Sequence, residues 1–155
     1  MRRVKSLVCD EDAAEIVEFA LAATVFFMLI FGIIELCLGI YAGNFVAMAA
    51  QQGTRYAMVR GSGNPSCPSV SSFGCSATAT DVQNYVLGLT HPGINLTASN
   101  ITVTWLTTTA TGSTCTPNSQ GCQVEVTVNY PFPLNIPFFS ASIPLSSTSI
   151  ETIQD

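Results

Sequence analysis

Few residues of this chain could do chemistry, and the most telling is a single acid. Glu18 stands at the threshold of an unbroken apolar run, Phe19 to Ile34. A carboxylate carried into a bilayer costs about 2.5–3.5 kcal/mol at the centre and less near the edge, so acids in such places serve a function and want a positive partner. The cysteines are the second candidate set. Cys67/Cys75 and Cys115/Cys122 form two short-spaced pairs, whereas Cys9 precedes the apolar run and Cys37 lies in its continuation. Four outer cysteines allow three pairings, of which the nearest-neighbour one is simplest. Each small loop so closed contributes roughly 2–3 kcal/mol in the chain-entropy view and requires an oxidising compartment. A metal site is the rival reading, but no C-x-x-C occurs and His91 is the only histidine.

Catalysis finds no support in the remaining inventory. His91 precedes Pro92 in a turn and reads as a solvent-exposed loop residue rather than a base. No G-x-S-x-G occurs, and Gly61-Ser62-Gly63 lacks the lysine and helix of a phosphate loop. Asp81 is explained as a helix-start charge, Glu125 as a solvent-facing strand residue, and Trp105 as core. The expectation is a protein that is not an enzyme and carries no cofactor and no metal.

The elements that must position Glu18 and the cysteines divide the chain in three. Residues 1–13 form a short, charged leader. Residues 14–60 read as one long helix, whose apolar part, about 19–41, is long enough to span a bilayer core of roughly 20 helical residues. The Ala-rich stretch 47–60 extends the helix beyond the membrane, interrupted only by Gly53. Gly61-Ser62-Gly63-Asn64-Pro65 ends it and opens a head over 61–155. In the head, Thr80 to Leu87 predicts a short helix with Thr80 as N-cap and Asp81 favourable to its dipole. Ile101, Val103 and Trp105, then Val124, Val126, Val128 and Tyr130, alternate with polar residues and predict half-buried strands. Pro131, Pro133 and Pro137 predict an irregular crossing, and 143–153 a last strand. The fold class expected is α+β: a long N-terminal transmembrane helix, then a small head with a short helix and an antiparallel sheet.

Charge fixes the orientation and excludes one class of partner. All five Lys and Arg lie in the first 60 residues, with Arg2, Arg3 and Lys5 just before the apolar run. Basic flanks stay cytoplasmic, which places the N-terminus inside and the head outside. From Gly61 to Asp155 there is no basic residue, so the head has nothing with which to hold nucleic acid phosphates. Within the span, Gly32, Gly39 and Gly43 fall within about 40° of one another on a helical wheel, Glu18 projects close to the same side, and Gly39–Gly43 is a GxxxG. Small residues let helix backbones approach in lipid, which makes these glycines candidates for helix packing. Glu35 projects about 60° from Gly32 and is left open between the packed face and the outer boundary. A cleaved secretory signal is the alternative, with Ala47-Met48-Ala49 as its A-x-A site; it would release a soluble acidic binding domain. A lipid anchor at Cys37 fits less well, because Glu35 and Leu36 stand where small residues are needed.

Val17-Glu18-Phe19-Ala20-Leu21, the apolar run, and Phe31-Gly32-Ile33-Ile34-Glu35 resemble the TadE-like pseudopilins of tight-adherence (type IVc) pilus systems. Gly53-Thr54-Arg55-Tyr56-Ala57 is similar to the segment closing that family's long helix, and the late pattern Val124 to Phe132, then Ser146 to Ser149, is similar too. The resemblance implies a prepilin whose leader is removed by a membrane prepilin peptidase between Ala13 and Ala14, with Ala13 where the commonest pattern has Gly. Glu18 then becomes the fifth mature residue, beside Phe19, one turn from a new α-amino group. It also implies a structural role in adhesion, surface attachment or a related secretion apparatus. The partners implied are other pilin subunits, the prepilin peptidase and an inner-membrane assembly platform. Location would be the inner membrane, single-pass, with the head periplasmic or extracellular. A membrane-anchored surface protein outside any filament is the second structural alternative.

Overall fold

The computed structural model describes residues 11–61, 76–89, 91–136 and 139–154. One helix, α1 (Glu11–Met58), runs the length of the molecule. It is continuous through Ala13 and Ala14, so the expected leader boundary falls inside helix rather than before it. From Ala14 to Phe31 it is mostly apolar and exposed; from Gly32 on one face docks the head, and its last third carries alanines on that covered face. Helix α2 (Ala79–Leu87) packs on α1 and on strand β1 (Ile101–Thr109), and β2 (Cys122–Ile136) and β3 (Phe139–Thr152) complete the head. The sheet is an antiparallel meander in the order β1-β2-β3. The α+β expectation, long helix then small head, is what the chain adopts.

The core lies where α1 and α2 press on one face of the sheet. Val124, Val126 and Val128 of β2 are fully buried, and the intervening Glu125 and Thr127 are half-exposed, as the period-two pattern requires. Opposite them sit Phe45, Val46, Ala49, Ala50 and Ala57 of α1, Val82 and Val86 of α2, Ile101 and Ile153. Trp105 is half-buried against this cluster, on the side of β1 shared with Ile101 and Val103.

Two expectations are corrected here. The N-cap of α2 is Thr78, not Thr80: its hydroxyl accepts from Asp81 N–H (3.2 Å), while Asp81 Oδ2 accepts from the Thr78 backbone N–H (2.8 Å). This reciprocal capping box satisfies two helix-end donors at once, which Thr80 could not do with any acid in reach. The crossing expected at Pro131 and Pro133 is instead regular strand. The β2–β3 ladder runs unbroken from Gln123↔Thr152 to Ile136↔Phe139, so β3 also begins four residues before the expected Ile143. Pro131 faces Pro144 across this ladder and Pro133 shares its parity. Neither proline of the facing pair has an N–H to exchange, so both occupy positions whose N–H would point away from the partner strand. On that outer side β1 pairs no further along β2 than Val128, so β2 is an edge at both prolines and no bond is lost. Pro137 lies outside the described residues.

Candidate functional site

Residues three or four apart, Gly32, Glu35, Gly39, Ala42, Val46, Ala49, Gly53 and Ala57, form a single stripe along α1. That stripe is the docking line for the head. Small side chains dominate it, and they let the sheet come close to the helix. At Gly53 the approach is tightest: a Cβ placed there would lie 2.9 Å from Val86 Cγ2 and 3.1 Å from Val126 Cγ1. Glycine is therefore required by the meeting of α1, α2 and β2, not by any bend.

The residues after Gly53 complete the clamp. Thr54 is fully buried, donates to Ala50 O or Gln51 O, and meets Ser149 Oγ of β3 at 3.0 Å. Tyr56 stacks on Tyr85 of α2 with ring centroids 4.3 Å apart, and the Arg60 guanidinium lies 4.4 Å above the Tyr56 ring. Ala77 N–H donates to Arg60 O, and Gln154 N–H donates to Met58 O, so both flanks of the head are tied to the end of α1. Near this junction the hydrogen bonds from the Thr78 backbone and hydroxyl hold the Asp81 carboxyl below the usual carboxylate range, with the Arg60 charge adding to the same effect.

At the other end of the stripe the β2–β3 hairpin reaches down the helix. Phe132 is buried, and its ring lies 3.6 Å from where a Gly39 Cβ would be. Beyond it, Glu35, Gly32 and Leu36 of α1 face Leu134, Ile136, Ile143 and Leu145 across an apolar groove of about 370 Å³. Glu35, left open by the sequence, thus faces this chain's own hairpin. The three glycines are used differently: Gly39 receives Phe132, whereas a Cβ at Gly32 or Gly43 would meet nothing within 4 Å.

Below Phe31 the helix has no partner among the described residues. Glu18 and Phe19 are exposed, as are Ile16, Leu21, Val25, Phe26 and Leu29. The stretch is long and apolar enough to cross a membrane. Of the cysteines, Cys115 and Cys122 are joined in a disulfide that closes the loop between β1 and β2, and Cys37 is free and exposed on α1. Cys67 and Cys75 lie outside the described residues. Among the described residues no three His, Cys, Asp or Glu side chains gather to hold a metal.

His91 corrects the expectation of an exposed loop histidine. Its ring is half-buried and packs on Phe45 of α1, centroids 4.3 Å apart, with Tyr41 at 6.2 Å. It serves as an aromatic brace between the α2–β1 loop and the helix. Sequence reasoning missed this and the roles of Gly53 and Ala57. The signal available was the three–four spacing of small residues, which continues from the glycines of the span into the alanines beyond.

Fold and site together define a class: one apolar helix, bare along its first half, with a small α+β head clamped on the second. Residues 14–55, about a quarter of the chain, match the model of the TadE-like protein family, in line with the resemblance seen in the sequence. The match ends at Arg55, just past Gly53 and Thr54, and the whole head, 61–155, lies beyond it. No curated protein and no solved structure gives a match.

Proposed function

We propose that this chain is a structural subunit, a minor pilin or pseudopilin, of a tight-adherence (type IVc) pilus or a related secretion apparatus. It would wait in the inner membrane with its head outside and pack its bare helix against other subunits on assembly. The observation that carries this reading is the division of one TadE-like helix into a clamped half and a bare apolar half with Glu18 near its start. Removal of the leader by a prepilin peptidase would free the Ala14 amine. Glu18, four residues on, could then meet the amine of a neighbouring subunit, which offsets part of the desolvation of both charges. The role is assembly and attachment, not catalysis.

The secretory alternative is opposed by the core. A cut after Ala49 would remove Ala42, Phe45, Val46 and Ala49, all buried against the head. The test is a Glu18→Leu variant together with sequencing of the mature N-terminus. The expected mature protein begins at Ala14, and the variant still inserts but no longer co-purifies with partner subunits or reaches the sheared extracellular fraction. Unchanged co-purification would remove the role given to Glu18. Absence of the native protein from sheared fractions would favour a surface protein outside any filament.

A further inference from the structure

The hairpin tip and the presumed span cannot both be where the sequence puts them. If residues 19–41 filled the hydrocarbon, the tip of β2–β3, which lies beside Phe31, Ile34 and Glu35, would sit about 10 Å inside it at 1.5 Å per helical residue. Strand β3 is an edge throughout, and β2 is an edge beyond Val128. Open sheet edges exposed to lipid leave N–H and C=O groups without partners and do not occur in the hydrocarbon region. The span must therefore end where the hairpin begins. The uncharged stretch Phe19–Ile34, about 24 Å long at 1.5 Å per residue, is then matched to a core of about 30 Å by local thinning of the bilayer, with Glu18 at its inner edge.

We propose that the tip of the β2–β3 hairpin, presenting Leu134, Ile136, Phe139 and Ile143, rests on the outer surface of the bilayer that α1 crosses. This rests on the membrane-spanning reading of α1 and moves its outer boundary from Tyr41 to Ile34–Glu35. The chemistry of the tip suits an interface. There is no charged residue from Val126 to Ile150. Leu134 and Ile136 face α1 across the groove, but Phe139 is 60% and Ile143 44% exposed, so among the described residues these two have no full cover. Apolar side chains set against the acyl boundary, with strand backbone left in reach of water, meet both requirements of that layer. Glu35, half-buried beside the tip, is then at the water boundary rather than in hydrocarbon. The head is thereby held at a fixed height and tilt, with the docking stripe continuous from membrane surface to Ala57.

Brominated phospholipids, which quench tryptophan on contact, test this in vesicles holding the full-length protein. Trp105 is the only tryptophan and pairs with Val124, about 40 Å along β2 from the tip at 3.3 Å per residue, so the natural protein supplies an unquenched baseline. Three added tryptophans are compared: Phe139→Trp at the tip, Ile150→Trp at the far end of β3, and Phe26→Trp in the bare helix. Lipids brominated near the headgroup should quench the Phe139→Trp signal about twofold more than the Ile150→Trp signal, as interfacial placement requires. Lipids brominated deep in the chains should quench Phe26→Trp most. If Phe139→Trp is quenched no more than Ile150→Trp while Phe26→Trp is quenched, the hairpin proposal fails and the spanning helix stands. If Phe26→Trp is not quenched, both fail. Folding of each variant is followed by its circular dichroism against the natural protein.

Discussion

The two halves of α1 are built from the same kind of residue and solve opposite problems. From Ala14 to Phe31 large apolar side chains point outward on every face, with Phe19 75% and Leu21 66% exposed. From Ala42 to Ala57 the buried residues are mostly small, and Ala49, Ala50 and Ala57 have no exposure at all. Bulk suits a helix whose surroundings, lipid or neighbouring helices, can conform to it. Smallness suits a helix whose partner is a preformed sheet, where one extra methyl has no place to go. A helix hydrophobic all round is buried or in a membrane, and none of the described residues buries the lower half, which is long and apolar enough to cross one.

Substitutions that exchange the rules of the two halves should show the contrast. The largest effect is expected at Gly53. Gly53→Val would drive methyl groups into Val86 and Val126, an overpacking cost of about 3 kcal/mol, seen as a lower urea midpoint of the detergent-solubilised protein. Gly32→Ala, with open space around it, should leave that midpoint unchanged or raise it slightly through helix propensity. Equal losses at both sites would end the distinction. Next in size, Val126→Ala should cost about 2 kcal/mol of stability by the loss of two buried methyls and the void they leave. Val25→Ala should cost the isolated subunit nothing measurable, because Val25 is 68% exposed.

The smallest effect belongs to the capping box that seats α2 on α1. Thr78→Ala should lower stability by about 1 kcal/mol at neutral pH. Because the Asp81 carboxyl is held below its ordinary range by Thr78, its contribution is complete above that range and lost as pH falls through the lowered value. The Thr78 backbone N–H still meets Asp81 in Thr78→Ala and the lost cap bond to Asp81 N–H does not titrate, so thermal melts of the two should differ by a constant amount above about pH 5 and by a smaller, non-zero amount under acid conditions. A difference that grew on acidification would contradict the capping geometry.

What the sequence disclosed follows the same division. The bare helix was legible because sixteen residues in a row without a charge, nearly all apolar, Phe19 to Ile34, admit few other readings, and β2 was legible from its valines. The docking line was not, because glycines and alanines in a helix carry little information until the sheet that needs them is placed. Prolines misled at Pro131 and Pro133, since their cost depends on whether a neighbouring strand wants the missing N–H, which only pairing reveals. Thr78 and Thr80 are both credible caps by type; the acid three residues beyond Thr78 decides between them. His91 could not be assigned because its partner, Phe45, is 46 positions away. Of the candidate site, Glu18 and its apolar surroundings were readable, whereas the destination of Glu35 depended on the fold of a hairpin a hundred residues later.

The unbroken helical start has a consequence for any enzyme that would cut between Ala13 and Ala14. Proteases take their substrates extended, so the scissile bond must first be unwound. Charged residues, Glu11, Asp12 and Glu15, flank this bond, so unwinding it exposes backbone to water rather than to hydrocarbon. A bond only two turns deeper would be locked by amide–carbonyl bonds on both sides and wrapped in hydrocarbon. Trimming at this point is thus possible without disturbing the rod that remains.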